Sequence, residues 1–285
     1  MSALYIAGSW AWRGVRSVLP RLGIYCCVVA LMCLLLFLNM KSYPAESMLE
    51  TGGTHLSFGD FLCAAFGGVQ PFDSTMNSKF NLPTGWLCVC VCAIYVMLDY
   101  PLRDLKGVGT NLLIRTGSRR LWWAGVCLWI CACSVLLWLC TLGICALWTI
   151  ADGGSFSLGI SERVPESLSF KHLLLTLENP VVPSSIFIII PLALIAFGLL
   201  QTVCAMYLKP LFSFVVVLAV LFFSAFYDAS PWLLGGCLMI CRFDTVTAGG
   251  MSPLIALVFV LFCICTLVVG GYYTFKNYDI KGDPS

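Results

Sequence analysis

The sequence predicts an all-α, polytopic membrane protein with about six transmembrane helices, both termini cytoplasmic, an amphipathic interfacial helix at the N-terminus and a short helix in one cytoplasmic loop. Three observations predict it. The 285 residues are 60% hydrophobic and only 11% charged, with a mean hydropathy of +0.95, whereas a soluble domain carries about a quarter charged residues. The apolar residues come in long uncharged runs, and the basic residues collect in alternate connections between those runs. With a formal net charge of +2, this composition excludes a nucleic-acid binder, a disordered tail and a small disulfide scaffold. Residues 1–285 form a single transmembrane domain in this reading.

The uncharged runs are Leu22 to Met40, Trp86 to Leu98, Trp122 to Ile150, Ser185 to Leu208, Leu211 to Tyr227 and Pro253 to Tyr272. A hydrocarbon core about 30 Å thick takes about 20 residues of helix, while a strand of a soluble sheet runs about five or six residues. The runs therefore read as helical spans at about 22–40, 84–100, 122–150, 185–208, 211–227 and 253–272. The second is short unless it extends through Asp99. The fourth and fifth are separated only by Lys209-Pro210, which must form a tight hairpin for the count to hold.

Orientation follows from Lys and Arg, which are retained on the cytoplasmic side. With both termini inside, the inner segments hold Arg13, Arg16, Arg21, Arg103, Lys106, Arg115, Arg119, Arg120, Lys209, Lys276 and Lys281. Only Lys41, Lys79, Arg163, Lys171 and Arg242 remain outside. Asp99, Asp104, Asp279 and Asp283 lie inside and the other ten acids outside, giving net charges of +7 and −5. The first apolar run is longer than the core of a secretory signal, and no small-residue cleavage site follows it before Lys41, so a cleavable signal is not expected.

Residues 4–19 precede the first span. Read as a helix, they place Leu4, Ala11, Val15, Val18 and Leu19 on one side and Ser9, Arg13, Arg16 and Ser17 on the other, with a break expected at Pro20. Such a helix would lie flat on the inner leaflet, with Trp10 and Trp12 at the headgroups and Arg13 and Arg16 facing water. A plain basic flank accounts for the same charges equally well. The cytoplasmic loop from Asp99 to Trp122 carries five basic residues around an apolar triplet, Leu112-Leu113-Ile114. Thr110 could cap a short helix there that Gly117 ends. A topology anchor needs no such triplet, and its form is that of a docking helix offered to a cytosolic partner.

Outside, 58–72 (FGDFLCAAFGGVQPF) and 230–243 (SPWLLGGCLMICRF) are too apolar for hydrated loops and too short to span. Each reads as a re-entrant or interfacial segment packed on the outer ends of the spans, with Gly67-Gly68 and Gly235-Gly236 permitting close turns. The loop 151–184 is polar and broken by Pro165, Pro180 and Pro183, with a short helix expected near Leu168 to Leu177.

Several chemistries lack their residues. Cys88, Cys90 and Cys92 lie two apart, and a helix turns Cys90 about 200° from Cys88, so they do not converge on one ion. Most of the seventeen cysteines sit in apolar runs, where cysteine acts as a small apolar residue. Cys63, Cys237 and Cys241 fall outside the spans, and a disulfide from Cys63 to either of the others is left open. The two histidines, His55 and His172, lie in outer loops, and there is no H-E-x-x-H, which disfavours intramembrane proteolysis. The spans carry no carboxylate for ion coupling, with Gln201 the one weak polar candidate. None of the seven lysines follows a glycine, so no phosphate-cradling G-x-x-x-x-G-K-[ST] loop exists. The chain reads as a non-enzyme that binds no cofactor itself, and any ATP is expected on a partner subunit.

The order of these parts, with the strings FGDFLCAAFGG at 58–68, YPLRDLKGVGTNLLIRTGSRRLWW at 100–123, YDASPWLLGG at 227–236 and FKNYDIKG at 275–282, resembles the membrane (permease) subunit of bacterial type-2 ATP-binding-cassette transporters. The likeness covers nearly the whole chain and is architectural. It implies a multi-pass protein of the plasma membrane, an exporter permease that pairs with a second membrane subunit, identical or not, and with a separate cytosolic ATPase. The stretch 101–117 would be the coupling helix and residues 4–19 the connecting helix beside it. Leu112, Leu113 and Ile114 would fill a groove on the ATPase while Arg115, Arg119 and Arg120 set orientation by charge. The spans lack a polar substrate site, which leaves the cargo unnamed. A different class fits the same residues: a non-transporting membrane protein acting as an immunity, assembly or interaction factor.

Overall fold

A computed structural model describes residues 3–42, 55–69, 82–105, 109–110, 113–114, 117–161, 181–226, 233–247 and 249–278. The described residues are helical, joined by two isolated bridges, Gly159 to Val181 and Phe243 to Met251, and contain no strand. The helices are α1 (Ala3–Lys41), α2 (Phe58–Phe66), α3 (Thr84–Val96), α4 (Tyr100–Leu105), α5 (Arg119–Asp152), α6 (Ile186–Tyr207), α7 (Pro210–Phe226) and α8 (Pro253–Asn277), with 3-10 turns at Leu234–Leu238 and Ile240–Arg242.

Five segments are long and apolar enough to cross a membrane: Gly8–Lys41, Thr84–Leu105, Arg119–Asp152, Ile186–Tyr207 and Pro253–Asn277. The expected sixth span is α7, whose 17 residues reach only about 26 Å, and Leu208-Lys209 makes the tight hairpin that joins it to α6. The second segment does continue past Asp99, with an interruption at 97–99 between α3 and α4. Apolar side chains such as Leu254, Val258, Phe262 and Val269 of α8 and Leu139 and Leu147 of α5 point away from the protein. Faces this apolar call for an apolar solvent, which is compatible with a multi-pass membrane protein.

The expected break at Pro20 is absent. α1 is one helix of 39 residues with Pro20 inside it, about 58 Å long and roughly twice the hydrocarbon thickness. Residues 4–19 therefore continue into the first long apolar helix without a break instead of forming a separate helix. Contacts on both sides of the proline hold the helix against α5: Trp10 meets Trp122 with ring centroids 6.0 Å apart, and the Tyr25 and Thr141 hydroxyls lie 2.7 Å apart. Packing of this kind offsets the hydrogen bond a mid-helix proline loses. α5 is nearly as long, at 34 residues, started by the Ser118 side chain accepting from Leu121 N and ended by Gly153 in the left-handed region at φ 72°.

The apolar segments 58–69 and 233–243 pack on the ends of the long helices. α2 opens with a capping box, Ser57 with Asp60, and Gly59 to Phe66 are all buried. Cys241 N donates to Gly67 O at 3.0 Å and Trp86 Nε1 to Leu238 O at 3.0 Å, tying the 3-10 turns to α2 and α3. Gly68 has φ +76°, and a Cβ there would sit 2.4 Å from Met239 Cγ, so this turn requires glycine. The helix expected near Leu168 to Leu177 lies outside the described residues.

Candidate functional site

Two arginines open α5, where the positive end of the helix dipole disfavours cations. Arg119 instead reaches the C-terminus of α8, where carbonyls lack helical partners. Its Nη1 donates to Phe275 O at 3.0 Å, Lys276 O at 2.6 Å and Tyr278 O at 3.0 Å, and the guanidinium lies 5.9 Å from the Phe275 ring. Arg120 Nε donates to Tyr272 Oη at 2.9 Å. Trp122 stacks on Phe275 with centroids 4.2 Å apart, and Trp123 Nε1 donates to Val268 O at 2.9 Å. The first turn of α5 is thus a clamp on the end of α8.

A second junction joins α1 to the start of the basic loop. Trp10 Nε1 donates to Asp104 Oδ2 at 2.5 Å, and the Tyr100 hydroxyl donates to Trp10 O at 3.4 Å. Tyr100 lies 5.3 Å from Trp10 and 4.9 Å from Trp129, centroid to centroid. Gly14 makes room for this cluster, since a Cβ there would come within 2.4 Å of Trp129 Cδ1. Farther along, Arg21 pairs with Asp99.

These junctions redistribute the residues named from sequence. Trp10 was expected at the headgroups, but it is 1% exposed and buried against Tyr100 and Trp122, because its indole N–H has a carboxylate to meet inside the protein. Trp12 is 58% exposed, with Arg16 5.4 Å over its ring, and Arg13 and Arg16 are exposed. Thr110 Oγ1 donates to Leu105 O, so its hydroxyl closes α4 instead of capping a following helix. Gly117, at φ +61°, donates its N–H to Leu113 O at 2.9 Å and ends the turn as expected. Within the apolar triplet, Ile114 is 73% exposed and Leu113 is partly buried. Leu112 and Arg115 lie outside the described residues. Arg119 is partly buried and Arg120 exposed, both engaged with α8 as above.

Asp99, Asp104 and Tyr272 are the structural partners that sequence reasoning did not single out. The available signal was two acids in a loop otherwise rich in Arg and Lys. Inside the bundle, Gln201 is fully buried on α6, and neither of its amide atoms meets a hydrogen-bond partner among the described residues. The hydroxyls of Thr141, Thr149, Thr202 and Ser224 each donate to a carbonyl one turn back on their own helix. On α3, Cys88 is exposed, Cys90 buried and Cys92 in between, as helical rotation requires. Cys63, Cys237 and Cys241 are buried free thiols. Compared with family models, with curated proteins and with solved structures, the chain gives no match.

Proposed function

We propose that the chain is the six-span membrane subunit of an ATP-driven exporter of the type-2 ATP-binding-cassette kind, set in a bacterial plasma membrane with both termini in the cytoplasm. It pairs with a second membrane subunit, and a separate ATPase carries the nucleotide, so the chain itself does no catalysis. The carrying observation is the basic end of the bundle: Ile114 stands exposed in a loop whose two roots are locked to other helices. At one root Asp104 holds Trp10 of α1, and at the other Arg119 and Arg120 hold the end of α8. A push on the loop reaches α1, α4, α5 and α8 together, as packed elements shift as units.

Leu112 to Ile114 form the apolar contact with the ATPase and Arg115 orients it by charge, while Arg119 and Arg120 anchor the root of the loop to α8. Trp12, Arg13 and Arg16 flank the docking surface from the exposed side of α1. The cargo is apolar or amphipathic, a peptide or a lipid, since the hydroxyls of Thr141, Thr149, Thr202 and Ser224 are each occupied by their own backbone. The test is purification of the tagged full chain in mild detergent. An ATPase subunit is expected to come with it and to be lost on Ile114→Asp, while the variant keeps its elution volume and helicity. A chain that brings down no ATPase, and whose deletion leaves ATP-dependent export unchanged, would overturn the reading and favour an immunity or assembly factor.

A further inference from the structure

Between the inner halves of α5 and α8 a groove of about 660 Å³ opens on the membrane-facing surface. Trp123 forms part of its lining, and Arg120, Cys127, Cys131, Val268 and Tyr272 line it too, with the exposed Ala124 and Leu128 between them on α5. The α5 positions recur at intervals of three or four residues, as one helix face requires. The side-chain polarity is gathered at one end, where Arg120 and Tyr272 are hydrogen-bonded to each other.

Dimensions decide what fits. From Arg120 to Cys131 is about 16 Å of helix, about half of a 30 Å hydrocarbon core and so the depth of one leaflet. The groove lies open along the helices and is lined almost wholly by apolar atoms, which suits an acyl chain lying along it. Charge selects the headgroup. Arg120 is exposed, its Nε is used by Tyr272, and its two terminal amines are the fork that suits a phosphate. Lys276 is exposed one turn beyond Tyr272, and among the described residues neither cation pairs with a carboxylate.

We infer that this groove is a binding site for an anionic phospholipid, with an acyl chain along Trp123 and Val268 and the phosphate held by Arg120 and the Tyr272 hydroxyl. Basic pockets between spans are suited to such headgroups. The inference is independent of the transporter reading and needs no ATPase.

Native mass spectrometry of the purified full chain, titrated with dioleoyl phosphatidylglycerol or dioleoyl phosphatidylcholine, tests it. The protein is expected to retain phosphatidylglycerol preferentially. Arg120→Gln should lower that retention about tenfold, the loss of one charge-assisted contact, with phosphatidylcholine unaffected, and Tyr272→Phe should lower it less. Ala124→Trp, which fills the groove, should reduce both lipids, and Arg16→Gln, on the exposed side of α1, should change neither. Equal retention of the two lipids, a preference that survives Arg120→Gln, or an equal loss on Arg16→Gln would overturn the site. So would lipid retention by Ala124→Trp that still depends on Arg120.

Discussion

Arg21 and Asp99 form a two-pronged ion pair between α1 and the interruption that separates α3 from α4. Arg21 Nη1 lies 2.6 Å from Asp99 Oδ1 and Nη2 lies 3.2 Å from Oδ2. Arg21 also sits 5.0 Å over the Tyr95 ring, and Arg103 approaches Asp99 Oδ2 at 3.8 Å. The side chains are only 22% and 28% exposed, so solvent screens the pair less than it screens a surface pair.

Removing either partner should therefore cost more than a surface pair does. Asp99→Asn and Arg21→Gln should each lower stability by about 1–2 kcal/mol, read as a fall in the thermal midpoint in detergent. In a double-mutant cycle the two losses should not add. Strict additivity would show that the residues act apart.

Asp60 ties α2 to the segment that follows α5. Fully buried, it accepts from Ser57 N at 2.8 Å, Ser161 N at 2.8 Å and Ser161 Oγ at 2.6 Å. Asp60→Ala leaves the buried Ser57 N–H unmet, at about 1–3 kcal/mol when nothing replaces the acceptor, and frees the partly buried Ser161 donors. Hydrogen exchange should rise across 57–66 and at Ser161 while the spans stay protected. Unchanged exchange at Ser161 would refute the link.

Two adjacent glycines of α8 should respond oppositely. A Cβ on Gly271 would lie 2.3 Å from Trp123 Cζ2, whereas one on Gly270 meets nothing within 4 Å. Gly271→Ala should destabilise by about 1–3 kcal/mol through overpacking, displacing the Trp123 bond to Val268. Gly270→Ala should be neutral, or stabilising by up to about 1 kcal/mol through helix propensity. Thermal unfolding of both variants, followed by tryptophan fluorescence, decides this.

The buried thiols of Cys63, Cys237 and Cys241 should be silent toward alkylation. Burial pushes the thiols of Cys63 and Cys241 well above the ordinary range, and that of Cys237 up to about 12. Because the thiolate is the reactive form, raising the pH from 7 to 9 should not increase their labelling by maleimide in the folded protein. An exposed cysteine, with its ordinary value near 8.5, gains thiolate steeply over that interval. Mass mapping of the labelled peptides checks this, and denaturation should release all three sites together.

Much of this architecture is legible along the chain, because hydrocarbon imposes a rule that acts residue by residue: a long helix bathed in lipid must be apolar throughout. Leu22 to Met40 and Trp122 to Ile150 obey it so plainly that their helices need no tertiary information. The apolar segment around α2 could likewise be read as packed, since Phe61, Leu62 and Phe66 have no business in a hydrated loop. The clamp of α5 on α8 was not legible. Arg119 and Arg120 look like free docking charges until α8 brings its terminal carbonyls and Tyr272 to them across more than 150 positions of sequence. Pro20 looks like a helix break until α5 packs on both sides of it.

Periodicity marks which face of residues 4–19 is apolar, but lipid and protein cover an apolar face equally well. Only the approach of Asp104 and Tyr100 decides that Trp10 is inside while Trp12, two residues on, remains outside. Hydropathy is a property of each segment and its solvent, so the sequence alone marked the long apolar helices. Hydrogen-bond and ring partners depend on which segments meet, and only the folded bundle brought them together.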